Sequence, residues 1–230
     1  MQPEEPLSFR DLLPQGLRAQ IGGQFGEAVR AATATAEDAW EDEDSLTGGL
    51  ISQVGTNVHG EGEFGGRWYS WETHLRKLRG RGQNAIEKRW GADGIFEIEV
   101  TDGESVRRKS LLMQAKKEWG TRDRDLVEQC EKMEQTAPGA GILVDFHRRS
   151  IGAAIGRDVI GAQGRRRSLD DSAYYDLGAL LQSHFLECRV GALNTYYDAS
   201  RQILVQGAPE GLVSTRYAVS HRARTVISSW

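Results

Sequence analysis

"GADGIFEIEV" (91–100) and "LLMQAKKEW" (111–119) are the two stretches on which the fold turns. In the first, Phe96, Ile98 and Val100 alternate with Ile95, Glu97 and Glu99, the period of two expected of a β-strand with unlike faces. Between the stretches, "TDGES" (101–105) supplies Asp-Gly turn chemistry, so residues 109–117 read as the returning strand of a hairpin. That strand ends in an apolar run interrupted by Gln114 and Lys116, which stand at alternate positions and therefore share a face. Hydrophobic matching favours a register in which Phe96 meets Met113 and Ile98 meets Leu111. Asp93 then lies opposite Lys116 and Ile95 opposite Gln114, which gathers a carboxylate, an amide and an ammonium at the open end of the hairpin. Such groups on a strand that otherwise reads as core are costly unless they bind something.

The surroundings extend the hairpin into a mixed α/β domain. "RDRDLVEQCEKMEQT" (122–136) is helical, with Leu126, Cys130 and Met133 on its buried stripe. "APGAG" stops it, and "ILVDF" (142–146) is the nearly continuous apolar run of a buried parallel strand. Hairpin, crossover helix and parallel strand follow in that order. Upstream, residues 23–54 read as one long helix or two joined helices, with Phe25, Val29, Ala32, Ala36 and Trp40 at helical spacing and a break at Gly48 and Gly49. Residues 59–68 read as a glycine-rich loop and 76–91 as a basic connector. Downstream, 155–171 reads as loop, 171–190 as helix, and 201–206 and 215–228 as late strands. The expected organisation is a lead-in over 1–22 and a single domain over 23–230, long enough for a substantial core.

Composition excludes several classes. No apolar run approaches the roughly 20 residues needed to cross a bilayer, and the acidic, proline-broken start is wrong for a secretory signal. Cys130 and Cys188 have no partner pattern for a zinc cluster or a disulfide framework. The expectation is a cytoplasmic protein with no membrane partner. The net charge of −4 is unevenly spread: residues 1–66 hold 12 acids and 3 bases, residues 67–230 hold 21 acids and 26 bases. The body of the chain thus carries a basic excess compatible with a polyanionic partner.

The polar cluster suits a hard divalent cation held through oxygens: the Asp93 carboxylate, the Gln114 side-chain oxygen and the Ala115 carbonyl. Such an ion polarises a phosphoryl oxygen and acidifies a bound water, while Lys116 holds or deprotonates that water and offsets transition-state charge.

These residues resemble the PD-(D/E)XK nuclease superfamily with its restriction-endonuclease-like fold, and most closely its Mrr-like branch, whose catalytic strand carries Gln-x-Lys. The likeness rests on "GADG" with Asp93, on "MQAKK" with Gln114 and Lys116, and on the helix and strand that follow, and it covers residues 87–147. The family also places an acid on the preceding helix, and "WEDEDSLTG" (40–48) offers Glu43, with Glu41 as its rival. What the resemblance implies is a mixed sheet flanked by helices and a Mg²⁺-dependent endonuclease in which Mn²⁺ can substitute. It also implies duplex DNA as substrate, a role in defence against foreign DNA, a sensor or regulatory partner protein, and a homodimer. Two departures stand out: Ala92 occupies the position of the motif's proline, and the neutral Gln114 leaves the site one negative charge short.

Other features divide between functional and ordinary readings. Arg79 and Arg81 in "RKLRGRG", the "GRRRS" stretch (164–168), and Arg148 and Arg149 in "HRR" are candidate phosphate contacts or plain surface. Glu97 and Glu99 read as a solvated strand face. "GEGEFG" (60–65) matches a glycine-rich phosphate loop only in spelling, because no strand precedes it and Glu61 and Glu63 repel phosphate. The alternatives to the nuclease are a binding or assembly module of the same fold and the same chemistry on RNA.

Overall fold

Asp102 closes the central hairpin. In the computed structural model, which describes residues 13–207 except 41, 79–84, 104 and 121–122, strand β3 (Gly94–Thr101) returns as β4 (Val106–Lys117) through a four-residue loop. Asp102 N–H donates to the Ser105 carbonyl at 3.2 Å, its Oδ1 accepts from Ser105 N–H and Oγ–H at 2.9 Å, and its Oδ2 accepts from Arg107 at 2.8 Å. Thr101 is thereby paired with Val106, and the ladder runs back to Gly94 opposite Met113.

That register differs by two residues from the one hydrophobic matching favours. Ile95 faces Leu112, Phe96 faces Leu111, and Ile98 faces Lys109 rather than Leu111. The tight loop prevails because the expected pairing would need two more residues in the turn. The cost appears at Lys109, which is fully buried. Its ammonium donates to the Phe185 carbonyl and lies 4.9 Å from the Phe185 ring, and burial, partly offset by Cys188, pulls its pKa down to about 8. A shift of two preserves the alternation of faces, so Asp93, Gln114 and Lys116 still share one side.

The remaining elements extend this hairpin in both directions. Helices α1 (Gln15–Thr35) and α2 (Glu43–Asn57) precede the hairpin of β1 (His59–Phe64) and β2 (Arg67–Lys77), and the short α3 (Ile86–Trp90) leads into β3. After β4 come α4 (Arg124–Thr136), β5 (Gly141–His147), β6 (Ser150–Ile155), α5 (Gly156–Gly161) and β7 (Tyr174–Asp176). Then follow α6 (Leu177–Leu180), continued by a π-helical turn over Leu181–Phe185, and the short strands β8 (Ala192–Leu193), β9 (Thr195–Asp198) and β10 (Ile203–Gln206). The main sheet runs β1 to β7 in sequence order, with β8 added beside β4; β9 and β10 pair separately. Every neighbouring pair is antiparallel except β4 and β5, whose parallel pairing through α4 is the expected crossover.

Helices cover both faces of the sheet. On one, Phe96, Ile98, Leu111, Met113, Val144 and Phe146 pack with Leu17, Ile21 and Phe25 of α1 and Leu46 and Leu50 of α2. On the other, Ile95, Leu112 and Leu143 pack with Trp90, Leu126, Cys130, Met133 and Val159. Among the described residues, no helix is long and apolar enough to cross a membrane.

Several sequence expectations shift. The first helix begins at Gln15, so Leu13, Leu17 and Ile21, read as lead-in, sit in the core. The helices part at residues 36–42 rather than at Gly48 and Gly49, because Asp42 caps α2 by accepting from Asp44 and Ser45 N–H. Residues 59–68 form a hairpin, not a loop, with Gly65 and Gly66 supplying its left-handed turn. Residues 155–171 contain α5 and a 3₁₀ turn at Arg166–Ser168. The helix expected over 171–190 is shortened, since Tyr174–Asp176 pairs with β6. A late strand appears at Ile203–Gln206, and 215–228 lies outside the described residues.

Asp102 supports a stability prediction. Burial opposes its charge, but the hydrogen bonds from Ser105 and Arg107 win and hold its carboxyl at about 2. A carboxylate depressed in the folded state stabilises above its unfolded pKa, and that contribution fades as pH falls through the folded value. Asp102→Ala is expected to lower unfolding stability by about 1–2 kcal/mol at pH 7. Urea titrations should show the difference shrinking as pH falls from about 4 toward 2.

Candidate active site

The groups of interest meet where β4 ends and β3 begins. Gly91 terminates α3 at φ 69°, and a Cβ there would lie 2.2 Å from the Gln129 carbonyl oxygen. Only glycine therefore lets α4 pack this closely on the chain that enters β3. Two residues later Asp93 donates its N–H to the Met113 carbonyl at 2.8 Å, level with Gln114. This corrects the expected pairing of Asp93 with Lys116, which lies two residues further along β4.

The Asp93 carboxylate is enclosed. Oδ2 accepts from Ala115 N–H at 2.9 Å and from Gln114 Nε2 at 2.5 Å. Burial pushes its pKa above the usual carboxylate range, against the pull of the Ala115 N–H and Lys116. Gln114 is buried, and its Nε2 also donates to the Ala115 carbonyl at 3.3 Å. Its Oε1 has no hydrogen-bond partner despite being enclosed. A buried amide oxygen without a donor costs about 1–3 kcal/mol, so it is an unusual feature of a core strand.

Glu43 opens α2 and reaches the same place from the other helix layer. Burial raises its pKa; Lys116 lowers it, Asp93 raises it, and the Lys117 N–H donates to it. Glu43 therefore senses the charge of Asp93, and Lys116 acts on both, while the neighbouring acid that raises Asp93 is Glu87. The Lys116 ammonium stands 3.2 Å from Asp123 Oδ2, and Asp123 in turn caps α4 by accepting from Leu126 N–H. Among the described residues no three His, Cys, Asp or Glu side chains form a metal-holding group. A cation here would depend on the Gln114 and Ala115 oxygens as well as on Asp93 and Glu43.

Cations border the cluster. Lys117 Nζ donates to the Trp40 carbonyl at 3.1 Å and lies 5.5 Å from the Trp40 ring, and Arg148 lies 5.1 Å from the same ring. Arg148 and exposed Arg149 form the β5–β6 turn. Arg79, Arg81 and Glu41 lie outside the described residues. Arg166 stacks 3.9 Å over Tyr174. Glu97 is not solvated: it is buried under β9, accepts from Tyr197 N–H, and has Arg76 at 3.6 Å, four residues away from Asp93.

Sequence reading missed a second polar group on this side of the sheet. Asp145, beside Lys116 in the β4–β5 register, is fully buried, and its carboxylate accepts from Trp119, Tyr174 and His147. The signal was present in "ILVDFH", where Asp145 breaks an apolar run and His147 follows on the same face. No protein-family model, curated protein or solved structure matches the chain.

Because Asp93 is protonated more readily in the folded chain than in the unfolded one, its charge costs stability as pH rises through the interval between the two values. Asp93→Asn keeps an acceptor for Ala115 and removes that charge. Without added metal it is expected to stabilise the protein at pH 7 by about 1 kcal/mol, with the gain vanishing near pH 4. Thermal melts across that range measure both.

Proposed function

We propose that the chain is a metal-dependent nuclease of the restriction-endonuclease-like fold, hydrolysing phosphodiester bonds of duplex DNA. The single observation that carries this reading is the convergence of Glu43 and Asp93 near Lys116 at one end of β4, with Gln114 bonded to Asp93 and its own Oε1 left without a partner. These residues fit a divalent cation. Two carboxylates resist ionisation chiefly because they are buried, and a buried amide oxygen lacks a donor; a hard cation with oxygen ligands relieves both. Asp93, Glu43, Gln114 and the Ala115 carbonyl would hold Mg²⁺, with Mn²⁺ as a substitute. When bound, the ion supplies polarisation of a phosphoryl oxygen and a more acidic water.

The chain's own residues do the rest. Lys116, kept in place by Asp123, holds the attacking water and offsets charge on the phosphorane-like transition state. Asp93 is fixed by the Ala115 N–H, so it does not have to reorient as charge develops. Arg148 and Lys117, braced on Trp40, with Arg149 beside them, give the approaching backbone a cationic rim. A defence role against foreign DNA, a sensor or regulatory partner and a homodimer belong to the same reading, by analogy with nucleases that cut both strands.

The second reading is a binding module that has lost turnover, favoured by the neutral Gln114 in place of a carboxylate. Plasmid cleavage with Mg²⁺, Mn²⁺ or EDTA separates the two. The nuclease reading expects metal-dependent nicking or linearisation that falls by about 100-fold or more in Lys116→Ala. It also expects Mg²⁺ to raise the melting temperature of the wild type but not of Asp93→Ala. Cleavage that survives Lys116→Ala would assign the activity elsewhere, and metal-independent DNA binding without cleavage would favour the module.

A further inference from the structure

The polar group around Asp145 spans three strands. Asp145 Oδ1 accepts from Trp119 N–H at 2.8 Å; Oδ2 accepts from the Tyr174 hydroxyl at 2.8 Å and from His147 Nε2 at 2.9 Å. Tyr174 belongs to β7 and reaches Asp145 across β6 because the intervening residue is Gly152, where a Cβ would lie 2.0 Å from the Tyr174 oxygen. Burial and Asp145 both push the Tyr174 pKa upward, so the hydroxyl keeps its proton and remains a donor. Its oxygen also lies 3.1 Å from His147 Nε2.

This arrangement determines the histidine's tautomer. With Asp145 accepting at Nε2, that nitrogen must carry hydrogen, and Nδ1 is the atom left to exchange protons. The His147 side chain is 39% exposed, whereas Asp145 beneath it is at 0%. Among the described residues Nδ1 has no protein partner. Lys116 neighbours Asp145 in the parallel register, so Lys116, Asp145 and His147 lie on one face, with His147 two residues nearer the sheet end. Arg148 and Arg149 follow it directly. A half-exposed histidine oriented by a buried carboxylate, on the same face as Lys116 and followed by two arginines, is built to hand a proton to an anionic substrate.

We infer that His147 is the proton donor to the leaving 3′-oxygen in strand cleavage, an inference that rests on the nuclease reading above. As water attacks phosphorus and releases its own proton to solvent, the P–O3′ bond breaks and its electron pair goes to O3′. That oxygen takes the proton from His147 Nδ1, and neutral His147 regains one from solvent. Asp145 and Tyr174 are positioning residues that hold the ring through Nε2.

The test compares two short duplexes in Mg²⁺, one natural and one with a single 3′-bridging phosphorothiolate, whose sulfur leaves without protonation. His147→Gln keeps a donor where Nε2 was and removes only the Nδ1 function. Cleavage of the oxygen substrate should fall by about 100-fold or more, while the sulfur substrate is cut within a few-fold of wild type. DNA binding in EDTA and the melting temperature should be unchanged, and in His147→Ala added imidazole should restore cleavage of the oxygen substrate. Equal losses on both substrates, or no loss on either, would overturn the role of His147 while leaving the nuclease reading intact. A wild type that cuts neither duplex overturns both.

Discussion

One aspartate in a four-residue loop governs the rest. By accepting from Ser105 and Arg107, Asp102 pairs Thr101 with Val106, and a ladder of antiparallel hydrogen bonds carries that pairing back to Gly94 and Met113. Because side chains alternate with a period of two, the loop decides which residues stand level with one another at the far end. Asp93 meets Gln114 for that reason. It also explains Lys109, an ammonium placed where Ile98 would otherwise have met an aliphatic partner. The helical turn that supplies the Phe185 carbonyl compensates the burial.

β4 is the strand where the layers exchange information. It pairs antiparallel with β3 along one edge; on the other it pairs parallel with β5 over residues 112–117 and with β8 at residues 109 and 110. The parallel stretch aligns Lys116 with Asp145, and so joins the Asp93–Gln114 group to the Asp145–His147–Tyr174 group on one face. The helix between these strands starts at Asp123, which caps α4 and pairs with Lys116 at once. A single residue thus ties the end of the strand to the start of the helix.

The site gathers several electrostatic costs in one place. Asp93 and Glu43 are both pushed toward the neutral form, chiefly by burial, and Gln114 leaves an oxygen unpaired. By contrast, the carboxylate of Asp145 is satisfied by three donors even though it is the more deeply buried. The two neighbouring groups thus differ in kind: one holds polar atoms without partners, the other orients His147 through a carboxylate whose acceptors are filled.

Much of the centre was legible in the chain itself. The alternation over 94–100, the turn residues, the amphipathic stripe of Leu126, Cys130 and Met133, and the apolar run of β5 are local signals, and they determined hairpin, crossover helix and parallel strand. The grouping of Asp93, Gln114 and Lys116 on one face was equally local, since it needed only a period of two. The hairpin of β1 and β2 was hidden because glycine and glutamate are poor strand formers and only pairing with β3 through β2 makes the segment a sheet. The strand at Tyr174–Asp176 was hidden because its alignment depends on a glycine in the neighbouring strand. The approach of Glu43 from a distant helix, and the joining of Asp145 and His147 to Tyr174, were decided by tertiary structure. Each depends on which residues stand level across strands or layers, and neither periodicity nor composition encodes that distance.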